Sequence, residues 1–237
     1  MANSYFRFKE FIIHQDRCVQ KVCTDACILG AWFAGKIPSR SRVLDIGSGS
    51  GLLMLMLAQK ISSEIQGIEI DPASWQQQSD NIEESKWKER LKALSGDARN
   101  YLFPAKFDFI ISNPPFFESD LLSQSAQKNI AKHSTALSLE DLMKITSDNL
   151  EAHGSLGILL PFQRTGYFEE LAGKYSFYVA ERLLIRQTPR HDYFRTILHL
   201  SRNKINNAST FEMTVQNAQN EYSKEFTDLM KEYYFYL

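Results

Sequence analysis

The sequence predicts an α/β protein built on a doubly wound sheet of seven strands, mostly parallel, with an antiparallel hairpin at its edge. Three observations lead to that fold. From residue 42 onward, short apolar runs alternate with helical patterns, as in a parallel sheet covered on both faces. One such run passes through a glycine-rich turn into a helix, at Val43–Gly51. Past residue 176 the pattern changes to two apolar runs joined by turn-forming residues.

Parallel strands are expected at Arg42–Ile46, Ile65–Glu69, Leu91–Ser95, Phe107–Ser112 and Ser155–Leu160, each a short apolar run bounded by polar or turn residues. Leu52–Ile61 is apolar almost all round and so should be a helix buried against the sheet. Ser138–Glu151 opens with Ser-x-x-Asp (Ser138, Asp141), which resembles a capping box, and carries Leu139, Leu142, Met143 and Leu150 at helical spacing. The hairpin is Phe177–Ile185 and Phe194–Arg202, joined through Thr188-Pro189-Arg190-His191-Asp192. Phe211–Val215 reads as one more strand outside this core. An amphipathic helix follows and ends in Tyr233-Tyr234-Phe235-Tyr236-Leu237, too aromatic to hang in solvent. The chain thus divides into an N-terminal extension (1–41), a central domain (42–205) and a C-terminal strand and helix (206–237), both flanks packing on the core. Glu118–Thr135 is polar and rich in Ser and Gln, either a lid or a variable surface loop.

Length and charge narrow the function. A chain of 237 residues suits one large domain with a modest extension, and a net charge of −1 gives no global basic field. A polynucleotide site would therefore be a local patch. Cys18, Cys23 and Cys27 lie close together, but their spacing, with His14 nearby, fits no familiar zinc pattern. They read as free thiols in a reducing, cytoplasmic compartment, with no metal and no signal segment. No membrane span is expected, because the most apolar stretch, Leu52–Ala58, falls far short of ~20 residues.

Val43-Leu44-Asp45-Ile46-Gly47-Ser48-Gly49-Ser50-Gly51 has the strand, turn and helix context of a nucleotide site. Its third glycine comes two residues after the second, whereas a dinucleotide fingerprint places it three after. Asp45 also precedes the first glycine by two positions. A carboxylate there repels a pyrophosphate and suits a ligand bearing an ammonium and a sulfonium, which favours S-adenosylmethionine over NAD. Gly47, Gly49 and Gly51 would let the backbone approach it. Glu69, at the end of the second strand, can accept both ribose hydroxyls, and Asp97, after the third, can accept from the adenine amine. Asp71 reads better as the N-cap of a helix begun by Pro72.

Asn113-Pro114-Pro115-Phe116 follows the fourth strand directly. The Asn113 amide oxygen and the Pro114 carbonyl can each accept a hydrogen bond from a planar primary amine. The prolines stiffen the turn, and Phe116 offers a ring face for stacking. With those residues in view, positions 40–205 resemble class I S-adenosylmethionine-dependent methyltransferases, which are Rossmann-like. Asp45–Gly51 looks like that superfamily's first motif and Asn113–Phe116 like its amino-methylating fourth. Phe6-Arg7-Phe8-Lys9-Glu10-Phe11, Val22–Trp32 and Tyr233–Leu237 are similar to bacterial tRNA1(Val) (adenine(37)-N6)-methyltransferases. Cys23 and Cys27 depart from the small or aliphatic residues that resemblance leads one to expect. The resemblance implies methyl transfer to the adenine beside the anticodon, with tRNA as partner and no obligate protein partner.

The turn alone does not separate adenine N6 from cytosine N4, guanine N2 or a glutamine side chain, since each is an NH2 on an sp2 carbon. Charge favours RNA: residues 1–42 carry seven Lys/Arg against three acids and 182–204 six against one, which gathers basic groups in the N-terminal segment and the hairpin (Arg182, Arg186, Arg190, Arg195, Arg202, Lys204). Lys128, Lys132 and His133 can add to that patch. The same charges also read as solvated strand-edge residues. A methyltransferase for rRNA guanine N2 or protein glutamine, or a catalytically idle RNA-binding scaffold, are the alternatives at this level.

Overall fold

Side-chain alternation along Arg42–Ile46 organises the molecule: Val43 enters one apolar layer, Leu44 and Ile46 the other. The computed structural model describes residues 3–115 and 137–237. The loop expected at 118–135, with Lys128, Lys132 and His133, lies outside the described residues, as does Phe116. The elements in chain order are β1 (Tyr5–Arg7), β2 (Ile12–His14), α1 (Thr24–Ala34), β3 (Arg42–Ile46), α2 (Leu52–Ala58), β4 (Glu64–Glu69), α3 (Pro72–Glu83), β5 (Leu91–Ser95) and β6 (Phe107–Ser112). Then come α4 (Leu139–Asn149), β7 (Leu150–Pro161), α5 (Thr165–Lys174), β8 (Tyr178–Arg186), β9 (Tyr193–Ser201), β10 (Ser209–Thr214) and α6 (Lys224–Met230).

The main sheet has the order β10-β8-β9-β7-β6-β3-β4-β5, and β1 and β2 form a separate antiparallel pair. β5, β4, β3, β6 and β7 run parallel, while β9 is antiparallel to both β7 and β8. The sheet therefore has eight strands, not seven, and the hairpin does not form its edge. β10 pairs in parallel with β8 from Ser209↔Glu181 to Thr214↔Arg186. It satisfies a row of β8 backbone groups that a terminal hairpin would leave exposed.

α1 was not foreseen. Ala26–Ala31, Phe33 and Ala34 are buried, so the helix shows no polar face and no periodicity to read. It lies close to both neighbours. A Cβ on Gly30 would come within 2.8 Å of the Met56 sulfur in α2, and one on Gly157 in β7 within 2.5 Å of the Phe33 ring. α1 and α2 belong to one layer, and α4 and α5 to the other. Ser138 caps α4 in a reciprocal box with Asp141. The two chain ends meet beside α2. Lys9 N–H donates to the Tyr233 carbonyl at 2.9 Å, and the Tyr233 hydroxyl donates to the Met56 carbonyl at 3.1 Å. Phe6 and Phe8 pack against Tyr234 in tilted geometry, with centroids 5.6 and 5.8 Å away. Among the described residues no helix is long and apolar enough to cross a membrane.

Gly157→Ala drives a methyl into the Phe33 ring and should lower stability by about 1–3 kcal/mol, read from denaturant midpoints. Gly166→Ala, in α5 where nothing lies within 4 Å of the added carbon, should leave stability unchanged or raise it by up to about 1 kcal/mol.

Candidate active site

β3 and β6 end level with each other. Ile46 stands opposite Ser112, and the buried Ser112 hydroxyl donates to the Ile46 carbonyl at 2.8 Å. Strand order reverses here, since β4 and β5 continue on one side of this pair and β7 on the other. Open α/β sheets take ligands at such a crevice. Gly47 and Asn113 leave the sheet as neighbours.

The turn after β3 needs its glycines. Gly47, Gly49 and Gly51 have φ of 73, 54 and 81°, a region that side-chain-bearing residues disfavour. A Cβ on Gly47 or Gly49 would meet nothing within 4 Å, so the outer side of the turn is open. The turn is braced from β4. Gly47 N–H donates to the Ile68 carbonyl at 3.0 Å, and Gly49 N–H donates to Glu69 Oε2 at 2.8 Å. Glu69 Oε1 accepts from Asp71 N–H at 2.8 Å. Each carboxylate oxygen retains acceptor capacity toward a ligand hydroxyl.

Asp45 is fully buried, and neither of its oxygens has a hydrogen-bond partner among the described residues. Burial pushes its pKa well above the usual carboxylate range, and the nearby Glu69 charge adds to the rise. Ser48 Oγ, Gln78 Oε1 and Asn113 Oδ1 are likewise buried without a partner. Unsatisfied polar atoms gathered at the ends of β3 and β6 are costly unless a ligand with donors and positive charge meets them. This set fits S-adenosylmethionine.

Asp97 follows β5, which is tied to β4 by Gly96 N–H donating to the Glu69 carbonyl at 3.0 Å. Its carboxylate is engaged: Arg99 Nε lies 2.9 Å from both oxygens, and the guanidinium holds its pKa below the usual range. Asp71 caps α3, accepting from Ser74 N–H at 2.8 Å with Pro72 behind it. Of the acceptor turn, Asn113 is half-buried, Pro114 buried and Pro115 exposed. Ser112, Arg99 and Gln78 were not singled out by sequence. Only Ser112 left a trace there, as the polar end of an apolar strand.

The basic patch read from segment counts is partly neutralised, in several cases by acids from outside the counted segments. Arg182 binds Glu169 through Nε at 2.6 Å and Nη2 at 2.8 Å, Arg195 binds Asp25 at 2.8 Å, and Arg42 binds Glu151 at 2.9 Å. Arg202 lies over the Phe177 ring, 4.7 Å from its centroid. Cys18 and Cys27 are buried and Cys23 exposed; burial pushes the Cys18 thiol up to about 11 and the Cys27 thiol up to about 12. No group of three metal-ligating side chains occurs among the described residues.

Comparison with known proteins agrees with this geometry. The family described as "Methyltransferase small domain" matches residues 29–160. A tRNA1(Val) (adenine(37)-N6)-methyltransferase of Bacteroides thetaiotaomicron is 35% identical over the whole of both chains. Its counterpart in Dyadobacter fermentans is 34% identical over 98% of each. Among solved structures, a predicted O-methyltransferase from Agrobacterium tumefaciens superposes with a TM-score of 0.69, at 17% identity, covering 88% of this chain and 96% of its own. P. horikoshii TYW2 in complex with MeSAdo gives 0.59 at 15% identity, covering 83% and 70%. At such identities the likeness is one of fold.

A carboxyl whose folded pKa is raised destabilises the fold once pH exceeds its unfolded value, about 3.9, and the loss grows until the folded pKa is reached. Asp45→Asn should therefore melt higher than the parent at neutral pH, with the gap closing as pH falls through 4. Melting curves across pH check this; a gap independent of pH would remove the charge from the explanation.

Proposed function

The chain belongs to the tRNA1(Val) (adenine(37)-N6)-methyltransferase family, within the methyltransferase small-domain family, and on that premise we propose that it methylates N6 of an adenine in tRNA, adenine 37 of tRNA1(Val). One observation carries the reading: the buried Asn113 oxygen, unpartnered among the described residues, follows the strand end that the Ser112–Ile46 hydrogen bond fixes level with the glycine turn. An acceptor amine held at Asn113 and a donor held over Gly47–Gly51 share one crevice.

When bound, S-adenosylmethionine supplies an electrophilic methyl group on a sulfonium. Asp45 would take its ammonium, Glu69 its ribose hydroxyls, and Asp97 its adenine amine alongside Arg99. Asn113 Oδ1 and the Pro114 carbonyl would accept the two N–H bonds of adenine N6. An aryl amine is a poor nucleophile because its lone pair is delocalised into the ring. Accepting both hydrogens draws the nitrogen toward tetrahedral geometry and aims that lone pair for in-line attack. The bonds strengthen as positive charge grows on nitrogen, so they favour the transition state over the ground state. Positioning supplies much of the remainder. The product proton leaves to water. A tRNA substrate and protonated thiols both suit a reducing cytoplasm.

Label from tritiated S-adenosylmethionine should pass to bulk tRNA and not to rRNA or protein, and nucleoside mass spectrometry should find N6-methyladenosine. Unlabelled tRNA would overturn the proposal. Asn113→Ala should lower kcat about ten- to a hundredfold, as expected for losing a charge-assisted hydrogen bond of about 1.5–3 kcal/mol, while donor affinity stays within twofold. Asp45→Asn should do the reverse, weakening donor binding in calorimetry by at least about tenfold.

A further inference from the structure

The rim of the sheet beside Asn113 carries side chains that methyl transfer does not use. Ser112 of β6 stands opposite Ile158 of β7, and β7 runs on to Pro161, so it rises past the acceptor turn. Phe162 follows at once in a short turn and is 37% exposed, unusual for a large ring at the end of a central strand. Tyr193 begins β9 next to it, with ring centroids 5.5 Å apart and planes inclined at 45°. At the end of β8, Arg186 pairs with Tyr193 and places its guanidinium 5.4 Å from the Tyr193 centroid. Glu212 of β10 faces both groups, binding Arg186 at 3.4 Å and pushing the Tyr193 hydroxyl pKa up by a hydrogen bond. Tyr193 is thus held from two sides while Phe162 projects. In the exposed turn between β8 and β9, Arg190 has no ion-pair partner among the described residues, and Asp192 is the one acid of that turn.

Neighbouring strands lie about 4.8 Å apart, which puts Phe162 about one strand, and Tyr193 about two, along the rim from the acceptor turn. Phe162 is exposed and Tyr193 half-buried beside it. Accessible rings next to arginine are what a single-stranded nucleic acid uses, bases stacking on the rings and phosphates meeting the cations. Rings and arginine also occur in protein interfaces, but this rim adjoins the turn proposed to take an RNA base, which favours a nucleic-acid strand.

We infer that this rim is the platform for the nucleotides flanking the methylated base, an RNA single strand stacking on Phe162 and Tyr193 with a phosphate at Arg190. The inference rests on RNA being the substrate and extends it to contacts that no sequence motif marks.

The test uses the full chain and an unmodified tRNA1(Val) transcript, with affinity measured directly by filter binding in the absence of methyl donor, and kinetics measured separately. Phe162→Ala and Tyr193→Ala should each weaken transcript binding about tenfold or more and raise the transcript KM in step. S-adenosylmethionine affinity and melting temperature should stay near the parent's. Phe162→Tyr, which keeps a ring, should bind as the parent does. Arg190→Ala should flatten the slope of log affinity against log salt by about 0.7–0.9. Should Tyr193→Ala fail to fold, the comparison of Phe162→Ala with Phe162→Tyr decides. Parental affinity in Phe162→Ala, in a protein that methylates the transcript, would overturn the platform alone. Loss of binding on ring removal, in a parent that binds but transfers no methyl, would overturn the proposed reaction and leave the platform standing. A parent that binds no transcript would overturn both.

Discussion

The level ending of β3 and β6 is the constraint on which the rest of this molecule depends. Parallel strands of different length would send their following turns out at different heights. Here Ile46 and Ser112 are the last paired residues, and the Ser112 hydroxyl closes onto the Ile46 carbonyl at 2.8 Å. The glycine turn and the Asn113 turn therefore open into the same crevice. A one-residue slip between these strands would do more than displace the turns. It would exchange Val43 with Leu44 between two separate apolar layers, and burial on both faces makes that prohibitive. The packing of the sheet and the placement of the site are one and the same restraint.

Three acids stand at the ends of three adjacent strands, and their surroundings divide the work between them. Glu69 braces the glycine turn through Gly49 N–H and α3 through Asp71 N–H, so it shapes the cradle whatever else it contacts. Asp97 is held ionised by Arg99 near the surface. Asp45 is buried without a donor, and burial drives it toward the neutral form. A cationic ligand reverses that preference at Asp45 and has little to offer Asp97, which already has its cation. Ligand charge thus acts at one end of the row, and hydrogen bonding at the other.

Strand limits were legible where apolar runs end in turn residues. Arg42–Ile46, Leu91–Ser95 and Phe107–Ser112 are read from sequence with the same bounds they have in the fold. The Asp71 cap was legible for the same local reason, its own helix supplying the partner. What could not be read depends on contacts between distant segments. α1 is buried all round by α2 and the sheet, so it shows no period. β10 finds its place only because β8 has a free edge. The charge count went astray at Arg182, whose acid, Glu169, lies outside both counted segments, and it could not show that Arg195 of one segment is paired with Asp25 of the other. The engagement of Asp97 was missed although Arg99 is two residues away, because an Asp-x-Arg spacing does not by itself reveal whether the side chains turn toward each other.

In the proposed reaction the Asn-Pro-Pro turn would grip an NH2 on a planar carbon and little more, so choice of substrate would have to be made elsewhere on the surface. Long-range attraction is a weak candidate. The chain has a net charge of −1, and several of the arginines that could form a basic field are tied to Glu169, Asp25, Glu151 and Glu212. With no net basic field, discrimination among RNAs on the proposed reading would rest on short-range contacts that demand a particular shape, such as ring faces fixed in orientation beside the site. The rigidity that β7, β8 and β9 give to their shared rim is then not incidental to the chemistry one strand away. Stacking is directional, and only a rim that does not move relative to Asn113 can present a neighbouring nucleotide and the reacting amine in one geometry.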